Sequence, residues 1–101
     1  MVILNALYKK PEDEAAFRNH YDTVHLPLVQ TIPGLLKADA EYVSQVFMGD
    51  KDDLFMIARM YFEDADSFKA AMKSPENQAT GKDLRNFAQA GVSVFVTHSD
   101  V

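Results

Sequence analysis

The stretch HYDTVHLPLVQTIPG, residues 20–34, decides how this chain folds. It contains two of the three histidines, two of the four prolines and one of the four glycines. Proline lacks a backbone donor and disfavours helical geometry in the residue before it, so Pro27 predicts a kink or stop near His25. Pro33-Gly34 is a turn signal. The stretch therefore predicts a helix end followed by a turn into a strand.

The residues before this stretch predict one strand and one helix. Side chains of residues 2–8 alternate between two faces, as in a strand. Pro11 is followed by three acids, which suit the first turn of a helix because the helix dipole is positive there. The helix is therefore expected to open at Pro11. Four residues at helical spacing should form its buried stripe: Phe17, Tyr21, Val24 and Leu28.

The residues after the stretch predict three strands and a second helical region. The strands are expected over residues 35–46, 54–63 and 92–97. Asp64 suits the N-cap of a helix, and Ser74-Pro75-Glu76 is a second helix-start signature. Thr80-Gly81 should interrupt that second helix.

The order β-α-β-β-α-β predicts a single α+β domain over residues 1–101, a ferredoxin-like split β-α-β sandwich with a four-stranded antiparallel sheet. Two helical regions cover only one face of such a sheet. Three of the strands carry apolar residues on both faces, so the uncovered face needs a partner. The simplest partner is the same face of a second copy, which would give a homodimer with an eight-stranded barrel.

Composition excludes several classes of function. The net charge is −5 and there is no basic run, which argues against binding to nucleic acid or to an anionic membrane surface. There is no cysteine, so disulfides and thiolate chemistry are excluded. No apolar run approaches the length of a membrane span. A cytoplasmic location is the expectation.

His25 is the main candidate for chemistry. On a helical wheel it lies beside the buried stripe, on the flank of Tyr21, near a helix end. The negative end of the helix dipole favours its charged form while burial opposes it. This competition suits a general acid or base near neutral pH. The alternative is that His25 only caps the helix by bonding free carbonyls near Pro27.

The remaining polar candidates carry weaker signals. An ideal helix places His20 and His25 about 140° apart, so they are not expected to converge on one ion, and no metal site is predicted. His20 is expected at the boundary of the core and His98 in a solvated tail. Asp83, with Arg85 and Asn86 nearby, belongs to a polar cluster for which a solvated helix face is favoured. Some aromatic residues are expected to line a pocket between sheet and helices.

Taken together, these residues resemble the EthD family, named for a protein of ethyl tert-butyl ether degradation. The specific segments are His25-x-Pro27-Leu28 followed by Pro33-Gly34-Leu35, and Ser74-Pro75-Glu76 with Asp83, Asn86 and Phe87. The resemblance covers residues 4–96 and implies the dimeric α/β-barrel superfamily. His25 matches the family's histidine. Alanines at positions 38 and 40 depart from related lactone-isomerising enzymes, which often carry a second polar partner there.

The resemblance implies a homodimer that binds a small hydrophobic or cyclic metabolite, with a role in catabolism. It favours a cofactor-independent isomerase, cyclase or lyase in which His25 shuttles a proton. The candidate substrate-binding residues are Tyr21, Asn86, Phe87, Asp83 and His20. The alternatives are a non-catalytic accessory or ligand-binding protein that supports an oxygenase pathway, and a small monooxygenase or other oxidoreductase.

Overall fold

Four antiparallel strands form one sheet, and the helices pack against it. The computed structural model describes residues 1–99. Its elements in chain order are β1 (Val2–Tyr8), α1 (Glu14–His20), a π-turn (Tyr21–His25), α2 (Leu26–Val29), β2 (Lys37–Tyr42), a short 3₁₀ turn (Lys51–Asp53), β3 (Met56–Phe62), α3 (Ala65–Met72), α4 (Pro75–Phe87) and β4 (Val92–His98). The strand order is β2-β3-β1-β4, which confirms the predicted ferredoxin-like α+β fold.

The core lies between the helices and one face of the sheet. Alternate residues of β1, β2 and β3 face it, as the pleat requires, and β4 contributes Val92. Tyr8, Met56 and Phe62 are the largest fully buried side chains. Tyr8 ends β1, a central strand, where it pairs with Met56 on one side and Val92 on the other. Its ring therefore lies on the core face of the sheet and points toward the helices.

Side-chain caps set the starts of three helices. Asp13 accepts a hydrogen bond from the amide of Ala16, so α1 begins at Glu14 and the predicted start at Pro11 is wrong. Asp64 caps α3 and Ser74 caps α4, as predicted. The predicted interruption at residues 80–81 is also wrong, because α4 runs unbroken through them. A single glycine weakens a helix by about 1 kcal/mol, which the packing of α4 overcomes.

The stretch that decides the fold contains a π-turn instead of a helix stop. The amide of Leu26 donates to the carbonyl of Tyr21, five residues back. The wider turn accommodates the ring of Pro27, which in an ideal α-helix would collide with a carbonyl one turn earlier. The helix therefore continues to Val29: of the kink or stop predicted near His25, the stop is wrong, and the irregularity is the π-turn that ends at His25. Gly34, with φ of 81°, makes the expected turn into β2.

The π-turn also changes which residues are buried. The buried face passes through Tyr21, His25 and Val29. Val24, predicted in the buried stripe, is 41% exposed. The wider turn holds more residues per turn than an α-helix, so successive side chains are rotated by a smaller angle about the helix axis than the prediction assumed.

The opposite face of the sheet has no helix over it. It carries half-buried apolar side chains beside a charged group in which Arg59 contacts Glu41 at 2.7 Å and Asp39 at 3.6 Å. Phe95 on β4 is 41% exposed there. His98, predicted in a tail, is the exposed last residue of β4.

Removal of the buried ring of Phe62 tests the position of the core. Phe62→Ala should lower the free energy of unfolding by about 3–5 kcal/mol, because it leaves a cavity beneath α3. Phe47→Ala is the matched control: that ring is 90% exposed, and its loss should change stability by less than about 0.5 kcal/mol. Urea unfolding measures both, and equal costs would contradict the assignment of the core.

Candidate functional site

One buried carboxylate holds two imidazoles where the π-turn meets α4. Asp83 Oδ2 lies 2.9 Å from Nδ1 of His25. His20 Nε2 approaches both carboxylate oxygens, at 2.9 and 3.0 Å. The amide of Asn86, one turn further along α4, donates to Oδ1 at 2.9 Å. We call His20, His25 and Asp83 the histidine–aspartate cluster.

The convergence of the two histidines corrects the expectation of a 140° separation. Residues five apart lie on nearly the same side of a π-turn, because its hydrogen bonds join residues five apart. His20 precedes the turn and His25 ends it, so both rings reach α4. Asp83 is 6% exposed, and the expected solvated helix face is therefore wrong for this residue. Arg85 and Asn86 do lie on the exposed side of α4.

The hydrogen bonds define the protonation states of the cluster. Burial alone would raise the pKa of Asp83, but hydrogen bonds from Asn86, His20 and His25 outweigh it and lower that pKa below its usual value. Burial lowers the pKa of His25, and the opposing effect of Asp83 does not fully compensate. At neutral pH the carboxylate is ionised and His25 is neutral. An ionised carboxylate can only accept hydrogen bonds, so Nδ1 of His25 carries the proton and Nε2 keeps its lone pair.

This arrangement suits proton transfer. An imidazole whose Nδ1–H is held by a carboxylate has a fixed tautomer and a fixed ring orientation. The same carboxylate stabilises the imidazolium that forms when Nε2 accepts a proton. His25 is 3% exposed, so a proton acceptor here works away from bulk water.

Phe87 connects the cluster to the aromatic core. Its ring centroid lies 4.6 Å from that of His25 and 5.0 Å from that of His20, with the His20 ring stacked on it at 20°. Tyr21 lies 5.7 Å from His25 and 6.3 Å from Phe87. Tyr8, which sequence reasoning did not assign to the site, lies 5.5 Å from Phe87. Its place as the last core-facing residue of β1 was the signal that could have identified it.

The predicted site residues lie in and beside one groove. His20, Asn86 and Phe87 line this open groove of about 770 Å³, which lies between the start of α1 and the end of α4. His25, Asp83 and Tyr21 are outside its lining and, like Phe87, are each less than 7% exposed. The structure thus brings all six predicted residues into one region of the molecule.

Within residues 1–99, no group of three or more His, Cys, Asp or Glu side chains is arranged to hold a metal ion. In the same part of the chain, no helix has the length and apolar character needed to cross a membrane.

Comparison with known proteins gives close matches over the whole chain. The profile of the EthD domain matches residues 9–91. An uncharacterized 11.0 kDa protein of Rhodococcus erythropolis, from the thcB–thcC intergenic region, is 34% identical over 99% of this chain and 96% of its own length. The crystal structure of an EthD family protein of Bacillus halodurans is 35% identical, covers 98% of both chains and superposes with a TM-score of 0.88.

More distant solved structures share the fold. SnoaB, a cofactor-independent oxygenase of Streptomyces nogalater, is 14% identical, with a TM-score of 0.68 over 99% of this chain and 93% of its own. A dimeric ferredoxin-like protein of Jannaschia sp. is 18% identical, with a TM-score of 0.67 over 98% of this chain and all of its own.

Burial of neutral His25 should make stability depend on pH. The pKa of His25 is lower in the folded state than in the unfolded chain, so the unfolded chain binds more protons as pH falls through about 6.5. The free energy of unfolding should therefore fall with pH below about 6.5, and His25→Gln should flatten that dependence. Chemical denaturation at a series of pH values measures it.

The exposed His98 supplies the control for this titration. His98→Gln should keep the pH dependence of the unmodified protein, because that side chain is solvated in the folded state. An unchanged pH dependence in the His25 variant would contradict the assigned protonation state.

Proposed function

The chain belongs to the EthD family, and from that premise we propose that it is a cofactor-independent enzyme that moves a proton on a small hydrophobic or cyclic metabolite. The observation that carries this proposal is the buried pair of His25 and Asp83, joined at 2.9 Å. A bare Nε2 opposite a carboxylate-bound Nδ1–H is the arrangement of a general base. The reaction classes that need one are isomerisation, cyclisation and lyase chemistry.

The proposed step removes a proton from carbon. Nε2 of His25 accepts a proton from a carbon beside an electron-withdrawing group of the ligand, and the C–H electron pair delocalises into that group. Asp83 compensates the positive charge that forms on the ring. The imidazolium then returns the proton to a different atom of the ligand, which completes an isomerisation. In a cyclisation the carbanion instead attacks a carbonyl carbon of the same ligand, the C–O π pair moves to that oxygen, and the oxygen takes the proton from the imidazolium.

The supporting contacts fix the carboxylate. Asp83 accepts from His20 and Asn86 as well as from His25, so three neighbours hold its two oxygens in place. His20 and Asn86 also line the open groove, where they are placed to meet a ligand that enters beside Phe87. We therefore assign His25 the catalytic role, and we assign Tyr21, Asn86, Phe87, Asp83 and His20 to binding and positioning.

The fold is compatible with chemistry that uses no cofactor, since the structurally similar SnoaB is a cofactor-independent oxygenase. A small monooxygenase, for which dioxygen would be the oxidant, stays an alternative. The cytoplasmic location and the catabolic role stay predictions. A binding protein that performs no chemistry is the alternative that the experiment below distinguishes.

The proposed assembly is a homodimer formed through the open sheet face. That face carries half-buried apolar side chains and the 41%-exposed ring of Phe95, with no helix over it. An exposed apolar surface of this kind marks an interaction site. In a dimer with a two-fold axis, the same surface of each subunit forms the interface. The Jannaschia protein of the same fold is dimeric.

Carbon deprotonation is measured with a simple ketone. Exchange of the α-protons of 1-tetralone for deuterium in D₂O, followed by proton NMR, reports the proposed step without the natural substrate. His25→Gln should slow the protein-dependent exchange by about 10²- to 10⁴-fold, because the base is gone. Asp83→Asn should slow it by about 10²-fold or more, because the tautomer and the imidazolium lose their carboxylate.

The controls for the exchange experiment use the same protein under the same conditions. His98→Gln should exchange at the rate of the unmodified protein, since His98 lies exposed at the end of β4. Each variant is checked by circular dichroism for retention of the fold. Exchange at the same rate in the folded His25 variant would reject the proton shuttle, and ketone binding without exchange in the unmodified protein would favour the non-catalytic alternative.

A charge on the open sheet face should break the dimer. Phe95→Asp places a carboxylate in the proposed interface and should yield monomers at micromolar concentration, as measured by light scattering after gel filtration. Val24→Asp is the matched control: Val24 is also 41% exposed but lies in the helical layer, so the dimer should persist. A monomeric unmodified protein would reject the proposed assembly.

A further inference from the structure

Two buried tyrosine hydroxyls near His25 have no hydrogen-bond partner among residues 1–99. Tyr8 is 1% exposed and Tyr21 is 4% exposed. Within residues 1–99, neither hydroxyl forms a hydrogen bond with another side chain or with the backbone. A buried donor without a partner costs free energy, so each such group in a native protein requires an explanation.

The hydroxyls are buried but not sealed. In the described part of the chain, the one sealed side-chain polar atom without a hydrogen-bond partner is Asp39 Oδ1, which belongs to the charged group on the other face of the sheet and lies 3.6 Å from Arg59. The oxygens of Tyr8 and Tyr21 and Nε2 of His25 have no partner and are nevertheless not sealed. Each of the three therefore keeps some accessible surface at which a partner from outside the protein can hydrogen-bond.

These three groups surround the same ring. Tyr8, Tyr21 and His25 each pack against Phe87, with centroid distances of 5.5, 6.3 and 4.6 Å. Tyr21 and His25 are also direct neighbours, at 5.7 Å. The rings of Tyr8, Tyr21 and His25 thus meet at Phe87, so the side chains around this one ring carry two O–H donors and one proton acceptor.

Both tyrosines remain donors at neutral pH. Burial raises the pKa of Tyr21 to about 12, and Tyr42, Asp22 and Asp39 add to the effect. Burial raises the pKa of Tyr8 further, with contributions from Tyr21 and Asp83. The negative charges that raise these values also disfavour a ligand that arrives with a full negative charge. A neutral oxygen acceptor fits the site better.

We propose that the hydroxyls of Tyr8 and Tyr21 bind the carbonyl oxygen of the ligand, and that the ligand is an enolisable cyclic ketone. This assignment rests on the proposed function, because it orients the carbon beside the carbonyl toward His25. The C–H bond breaks, its proton goes to Nε2, and its electron pair becomes the carbon–carbon π bond of an enolate. The enolate oxygen then accepts from both hydroxyls, which bind it more strongly than they bind the neutral ketone.

The test compares two ligands that share one carbon skeleton. 1-Tetralone carries the carbonyl and tetralin lacks it, and binding of each is measured by ligand-observed NMR. The unmodified protein should bind the ketone more tightly. Tyr8→Phe and Tyr21→Phe should each weaken ketone binding about tenfold, the effect of one hydrogen bond, and leave tetralin binding unchanged.

Two controls separate binding from folding. Tyr61→Phe removes a hydroxyl that donates to Asp39 on the open sheet face, so it should leave the affinity for both ligands unchanged. Without ligand, Tyr8→Phe and Tyr21→Phe should melt at the same temperature as the unmodified protein or higher, because the hydroxyl that each removes has no partner. A lower melting temperature would indicate a structural role and would overturn the proposal.

The outcomes distinguish this inference from the proposed function. Loss of ketone affinity in the Phe variants, with no exchange in any protein, would support the oxygen-binding pair and reject the proton shuttle. Exchange that depends on His25, with ketone affinity unaffected by either Phe variant, would overturn the oxygen-binding pair alone. Failure to bind the ketone, or equal affinity for ketone and hydrocarbon, would overturn the assigned ligand class.

Discussion

The carboxylate of Asp83 is the constraint on which the rest of the site depends. It is buried, it is ionised, and three neighbours satisfy its oxygens. A buried carboxylate without partners is among the most costly features that a small protein can contain, and breaking a buried ion pair typically costs about 3–5 kcal/mol. The two imidazoles and the amide of Asn86 therefore serve the fold as well as the site. They also fix α4 against α1 and the π-turn, because His20 ends α1 and His25 ends the π-turn.

Much of the fold was predictable from local pattern. The expected elements are found where the sequence shows alternation in β1, alanines in β2 and caps at Asp64 and Ser74. Each of these signals depends on rules that act within one helical turn or one pair of strands. The errors arose at proline and glycine. Pro11 does not open α1 because Asp13 caps it better, and Gly81 does not break α4 because tertiary packing exceeds a single residue's propensity.

The site was predictable in its members but not in its geometry. His25, Asp83 and Phe87 were identified from a family resemblance, and an ideal helical wheel then separated the two histidines. The wheel failed because it assumes one angular step per residue, whereas the π-turn adds a residue to one turn. Pro27 was the sequence signal for that irregularity, although a proline alone does not distinguish a kink, a stop and a widened turn. Tyr8 was missed because the alternation of inward and outward residues along a strand is the same for an aromatic residue of the core and for one that faces a ligand.

The π-turn gives the spacing between the two histidines a meaning of its own. With five residues from one imidazole to the next, both reach one carboxylate because the π-turn lies between them. In a regular α-helix the same interval would place the two rings about 140° apart, so the spacing of five and the widened turn depend on each other. The interval His-x₄-His followed by proline two positions later is therefore a discriminating signature. It would separate relatives that retain this paired geometry from those that share only the sandwich.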